Sequence, residues 1–227
     1  MDNWDFKSQS ILSDLPLEDL KLLNLDNVGH VYKKGDTIFR EGTVPNGIYY
    51  IKSGKAKKYK IDKEGREQII YVANSGELIG YHAVLADDRY TDSAATLEES
   101  VISFIPRENF LHAIEQSPLL SKRLLKTLSH EFTVFANSLA LFAQRSVKER
   151  LALQLVVLRE KYKKDFREGM AVEITMSRED LANIVGTARE NVVRILSEFR
   201  EEGILETRGR KIIIHDVRRL VVLANSK

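Results

Sequence analysis

The 227-residue sequence predicts an α+β fold: an N-terminal double-stranded β-roll of jelly-roll type over residues 1–117, a long dimerising helix over 118–145, and a C-terminal winged helix-turn-helix over 146–227. Three observations predict it. Short apolar runs broken by Gly, Asn and Asp fill residues 28–104, an uninterrupted helical pattern with two apolar stripes follows Pro118, and two short helical patterns flank a Gly-Thr turn within residues 174–205.

A hydrophobic share of 43% over this length is ample for buried cores. No apolar run approaches the roughly 18 residues that a bilayer-spanning helix needs. The opening MDNWDFKSQSIL lacks the basic start and apolar stretch of a secretion signal, so the expected location is the cytoplasm, without a membrane partner. With no cysteine, the chain excludes disulfides, zinc fingers and a cysteine-bound iron-sulfur cluster. The net charge of +2 is unevenly divided: residues 1–145 carry 18 Lys/Arg against 20 Asp/Glu, a net of −2, and residues 146–227 carry 17 against 13, a net of +4. A mildly acidic body joined to a basic unit suits a nucleic-acid partner, whose phosphates attract Lys and Arg.

The roll is read from GDTIFREG, NGIYYIKSGKAKKYKI, EGREQIIYVANSGELIG and SAATLEESVISFIP, whose punctuation predicts many short antiparallel strands. Asp62-Lys63-Glu64-Gly65 predicts a hairpin turn between strands over residues 56–61 and 68–72. Gly35, Gly42, Gly47, Gly54, Gly76 and Gly80 fall where a tight roll has to turn.

After Pro118, Leu125, Leu128, Phe132, Phe135, Leu139 and Phe142 recur three and four residues apart, the spacing of a coiled-coil seam. A second stripe of Leu120, Leu124, Val134 and Leu141 is expected to face the roll. A helix apolar on two sides needs two partners, and a second copy of the chain is the expected other one. Gln144-Arg145-Ser146 reads as a hinge, residues 147–162 as the next helix, and the charged stretch 161–169 as a solvated loop that grazes a DNA backbone.

Ser177, followed three residues later by Asp180, predicts a capped helix start. Leu181, Ile184 and Val185 give that helix an inner face, and Gly186 ends it. In the second helix Val192, Ile195, Leu196 and Phe199 face inward, which leaves Arg189, Glu190, Val193 and Arg194 outward. Arginine can bond guanine O6 and N7 together and a carboxylate can accept from cytosine N4, so this set predicts a major-groove reader of G·C-containing steps. Thr207-Arg208-Gly209-Arg210-Lys211 predicts a basic hairpin lying along phosphates.

At these residues the chain resembles the bacterial cyclic-AMP receptor protein and fumarate-nitrate reductase regulator (Crp/Fnr) transcription factors, over almost its whole length. In the family the second helix carries an Arg-Glu pair and, four residues after the Glu, an Arg; Arg189-Glu190-Asn191-Val192-Val193-Arg194 repeats this spacing. Ser177-Arg178 matches the family's phosphate-contacting pair. The resemblance implies a homodimer on palindromic double-stranded DNA with TGTGA-like half-sites, and RNA polymerase as a further partner; Ala188 and Val193 depart from the pattern that flanks this motif. GDTIFREG and NGIYYIKSGKAK resemble the two structural glycine motifs of the family's cyclic-nucleotide-binding roll. The ligand cassette departs: Tyr81 stands where a ribose-binding Glu is expected, and Asp92-Ser93-Ala94 where Arg-Ser-Ala is expected. An Asp facing a phosphate repels it, and Arg89 replaces the missing cation only in a differently registered loop. The effector pocket, Gly80, Tyr81, His82, Arg89, Asp92 and Ser93, is therefore expected to take something other than cyclic AMP, if it takes anything. The missing cysteines exclude the oxygen-sensing cluster that some relatives carry.

The histidines at 30, 82, 112, 130 and 215 show no metal-ligand spacing, and no phosphate-binding loop or catalytic constellation stands out, so neither a metal site nor an enzyme is expected. His82, beside Tyr81 in the cassette, keeps a haem or redox sensor open as an alternative signal, next to a cyclic-nucleotide-responsive activator.

Overall fold

The computed structural model describes residues 10–25, 29–163 and 171–225, and the side chains of Val134 and residues 136–144 fall outside the description. In chain order the elements are α1 (Leu17–Leu22), β1 (His30–Tyr32), β2 (Thr37–Phe39), β3 (Gly47–Ser53), β4 (Lys55–Ile61), β5 (Glu67–Asn74), β6 (Leu78–Ile79), α2 (Tyr81–Leu85), β7 (Ser93–Thr96), β8 (Ser100–Pro106), α3 (Arg107–Gln116) and α4 (Pro118–Gln144). They continue as α5 (Val147–Tyr162), β9 (Val172–Thr175), α6 (Arg178–Val185), α7 (Arg189–Glu201), β10 (Leu205–Arg208), β11 (Lys211–Ile214) and α8 (Val217–Asn225). Residues 8–135 form one compact unit and residues 136–227 another, the division falling inside α4.

The first unit holds two four-stranded antiparallel sheets, in strand orders β1-β8-β3-β6 and β2-β7-β4-β5. Side chains alternate across a strand. Ile51 of β3 and Ile102 of β8 therefore enter the core between the sheets with Phe39, Ala56 and Ala94, while Ile48 and Ile105, three residues away, point to the opposite face. That outer face is covered by Phe110 and Ala113 of α3 and by Leu120 and Leu124 of α4. The β4–β5 turn forms as expected, and Asp62 organises it: its carboxylate accepts from the Glu64 and Arg66 amides, each at 2.9 Å, and from Arg66 Nε at 2.7 Å. Gly47 is required for a different reason than turning. Its φ is ordinary, but a Cβ there would lie 2.2 Å from the Ile105 carbonyl of the paired strand.

The second unit packs α5 through Leu151, Ala152, Leu155 and Leu158, all buried. Ser146 starts α5 with a full capping box: Glu149 N donates to Ser146 Oγ at 3.3 Å and Ser146 N to Glu149 Oε2 at 2.6 Å. The basic hairpin β10–β11 forms around Gly209, at φ 58°, and gains a third strand, β9, that pairs with β11. Helix α8 buries Leu220 and Ala224. Of the charged loop expected over residues 161–169, residues 164–169 lie outside the described residues. Among the described residues no helix is long and apolar enough to cross a membrane.

Phe199 is fully buried on the inner face of α7. Phe199→Ala should lower unfolding stability by about 3–5 kcal/mol, read by urea denaturation, because the cavity cannot fully collapse.

Candidate nucleic-acid interface and effector pocket

Helix α6 begins where expected. Ser177 Oγ accepts from Asp180 N at 2.9 Å, and the same hydroxyl donates to Asp180 Oδ2 at 2.5 Å. The helix ends at Gly186, whose φ of 70° is the left-handed conformation that a side chain disfavours. Ala188 precedes α7 and offers no side-chain cap; Asn191 Nδ2 instead donates back to Thr187 Oγ1 at 3.1 Å.

Four buried residues, Val192, Ile195, Leu196 and Phe199, hold one face of α7 in the core, and Arg189, Glu190, Val193 and Arg194 are exposed, as the spacing required. Arg194 Nη1 donates to Glu198 Oε1 at 2.5 Å. At the hairpin, Arg208, Gly209 and Arg210 are exposed, and Arg208 pairs with Glu206 at 2.9 Å. Arg178 is half-buried, and its Nη2 donates to the Gly209 carbonyl at 3.0 Å, so in this structure it braces the hairpin rather than reaching outward. Burial weakens the proton affinity of its guanidinium.

Sequence reading missed Arg150, because nothing distinguishes it from any other charged helix residue. Its Nε donates to the Val185 carbonyl at 3.1 Å, Nη2 to Gly186 at 3.2 Å and Nη1 to Arg145 at 3.1 Å. One guanidinium thus satisfies carbonyls at the end of α6 and ties them to the expected hinge.

On α4, Leu125, Phe132 and Phe135 are 65%, 72% and 61% exposed, while Leu120 and Leu124 are buried against the roll. Leu128 is half-buried and packs against the roll's core. The side chains of Val134, Leu139, Leu141 and Phe142 lie outside those described.

In the cassette, Gly80 adopts φ 84° just before α2, and Tyr81 is buried and stacks on His82, the ring centroids 4.2 Å apart. Burial, then the nearby charges of Glu131 and Glu77, push the Tyr81 hydroxyl well above the ordinary tyrosine range. His82 Nε2 meets Glu131 Oε2 of α4 at 2.8 Å. Asp92 is neither solvated nor unpaired: Lys58 Nζ lies 3.0 Å from its Oδ2, with both side chains largely buried. Ser93 Oγ accepts from Glu41 N at 3.0 Å, and exposed Arg89 donates to the Gly42 carbonyl at 2.8 Å. Asp92 and Ser93 are thus both engaged by other residues of the roll, and the Arg89 guanidinium lies against a backbone carbonyl.

The cyclic nucleotide-binding domain family matches residues 30–117, and the Crp-like helix-turn-helix domain matches residues 149–223. The chain belongs to the Crp/Fnr family of DNA-binding transcription regulators. It is 29% identical over 216 residues to the transcriptional activator protein Anr of Pseudomonas aeruginosa, spanning 94% of this chain and 87% of that protein. To the fumarate and nitrate reduction regulatory protein of Salmonella typhimurium it is 29% identical over 211 residues, 92% of this chain and 84% of that one. The fold is similar to that of FixK2 from Bradyrhizobium japonicum, with a TM-score of 0.76 at 22% identity, over 87% of this chain and 97% of FixK2.

Asp92→Ala strands a buried Lys58 charge and should cost about 3–5 kcal/mol of stability, most of it recovered in the Lys58→Met, Asp92→Leu double variant, as measured by urea denaturation. At Glu131 burial opposes ionisation, but the His82 hydrogen bond and charge, with Tyr81 and Lys58, hold the carboxyl below its ordinary range. A depressed folded-state pKa stabilises above the unfolded value and loses that stabilisation on acidification. Glu131→Gln should therefore flatten the fall in stability as the pH drops below about 4.5, followed by thermal melts across the acid range.

Proposed function

We propose that the protein binds palindromic operators as a homodimer, with residues 1–117 as a sensor-type roll, 118–145 as the dimerising segment and 146–227 as the DNA reader. The observation that carries this reading is the division of α7 into a buried apolar face and an exposed face bearing Arg189, Glu190 and Arg194. These side chains, with Ala188, Asn191 and Val193 beside them, read base edges in a TGTGA-like half-site. Arg208, Gly209 and Arg210 lie along phosphates, with Ser177 and Arg178 supporting that end of the interface. A dimer follows from the exposed Leu125, Phe132 and Phe135, which a second copy would cover, and from specific affinity, which a single reading head rarely supplies. Such a regulator works in the cytoplasm, contacts RNA polymerase and catalyses no reaction.

The Lys58–Asp92 pair supports a signal other than cyclic AMP. A cyclic phosphate entering there would have to leave Asp92 uncompensated in a dry site. Haem ligation at His82 would have to use Nδ1, since Nε2 lies 2.8 Å from Glu131 Oε2.

Fluorescence anisotropy on a TGTGA palindrome against a scrambled duplex, at fixed salt, tests the reading. Specific binding should be unchanged by cyclic AMP; binding that appears only with the nucleotide would overturn the pocket assignment. Arg189→Ala and Arg194→Ala should each cost about 1–3 kcal/mol on the specific duplex, whereas Arg208→Ala and Arg210→Ala should weaken both duplexes alike and each lower the salt slope by about 1. Phe132→Glu with Phe135→Glu should convert the dimer to a monomer in sedimentation.

A further inference from the structure

Arg194 is held before any DNA arrives. Its Nη1 donates to Glu198 Oε1 at 2.5 Å, one turn further along α7, and Glu198 Oε2 accepts from Nζ of Lys148 on α5 at 3.1 Å. Lys148 also reaches Glu202 Oε1 at 3.4 Å and lies 5.5 Å from the centroid of the Phe199 ring. Arg194 is the exposed end of this chain at 63%, against 34% for Glu198 and 37% for Lys148.

We infer that Glu198, fixed by Lys148, is a specificity-determining positioning residue that sets the rotamer of Arg194 for one guanine. The inference rests on the proposed role of Arg194 as a base reader. With Nη1 committed to Glu198, the edge formed by Nε and Nη2 is left for O6 and N7 of guanine, and a side chain ordered in advance loses less freedom on binding. A simple helix-stabilising pair accounts for less. Solvated pairs spaced four apart contribute little, need no third member, and have no reason to favour one base. Here the carboxylate is shared by cations from two helices and is two-thirds buried. Lys148 holds the Glu198 carboxyl below its ordinary range, so it stays ionised at neutral pH, although a negative charge near DNA weakens general attraction. A positioning role explains a carboxylate where electrostatics alone would omit it.

The test uses a duplex selected from a randomised pool by the wild-type protein, then every single-base-pair variant of one half-site, measured by anisotropy at fixed salt. Wild type, Arg194→Ala, Glu198→Gln and the double variant form a cycle. Arg194→Ala should remove the preference at one base pair. Glu198→Gln should relax the same pair about three- to tenfold, keep the other preferences, and bind a scrambled duplex as well as or better than wild type. In the Arg194→Ala background it should relax nothing further. Lys148→Met, which frees Glu198 without removing it, should act in the same direction, and thermal melts report whether each variant is folded.

Full preference retained at that pair in Glu198→Gln overturns the inference, and so does uniform weakening on every duplex, scrambled included. If Arg194→Ala changes no preference, or no sequence is selected, base reading by Arg194 itself fails and the inference falls with it.

Discussion

Helix α7 has to be dry on one side and wet on the other, and the whole reading unit is arranged around that requirement. Burying Val192, Ile195, Leu196 and Phe199 leaves the helix no rotational freedom, so the exposure of Arg189, Glu190 and Arg194 follows from the packing of their neighbours. Apolar burial has no direction of its own and fixes only the rotation of the helix. Its placement along the axis comes from directional bonds. The Ser177 cap and the left-handed Gly186 set the two ends of α6, and Arg150 ties that end to Arg145. The exposed side chains of α7 are therefore positioned by residues that lie outside that exposed face.

Much of this arrangement was legible in the sequence because it rests on local rules. Period, cap and turn chemistry locate α6, α7, the β4–β5 turn and the β10–β11 hairpin without knowledge of the rest of the chain. Strand β9 and helix α8 were not legible. Val172–Thr175 is four residues long and becomes a strand by pairing with β11, and α8 follows the hairpin without a distinct start signal. Gly47 reads in sequence as a turn residue, but its missing Cβ matters for the approach of β8 and not for φ. Leu128 shows the limit of periodicity, which puts it in the seam stripe but does not reveal its packing against the roll's core.

Charged partners are the largest class of features that sequence could not supply. Arg150 and Lys148 look alike on paper, yet one closes the helix-turn-helix turn and one holds Glu198, while Arg178, which the sequence matches to a phosphate contact, braces the hairpin. Ion pairs between distant positions depend on tertiary geometry, and each member reads alone as solvated surface. The same holds in the roll. Asp92 reads as a repulsive residue in an anion pocket, and only the fold reveals Lys58 as its partner across β4 and β7.

That pairing changes what the roll can respond to. A site built for an anion keeps a cation waiting, and the ligand's charge is its main differential interaction. Here Lys58 is paired with Asp92, and α2 meets α4 through the His82–Glu131 contact at 2.8 Å. A ligand shifts a conformational equilibrium only by its difference in affinity between the states. An anion placed beside Lys58 would therefore gain little without stranding the buried Asp92 carboxylate.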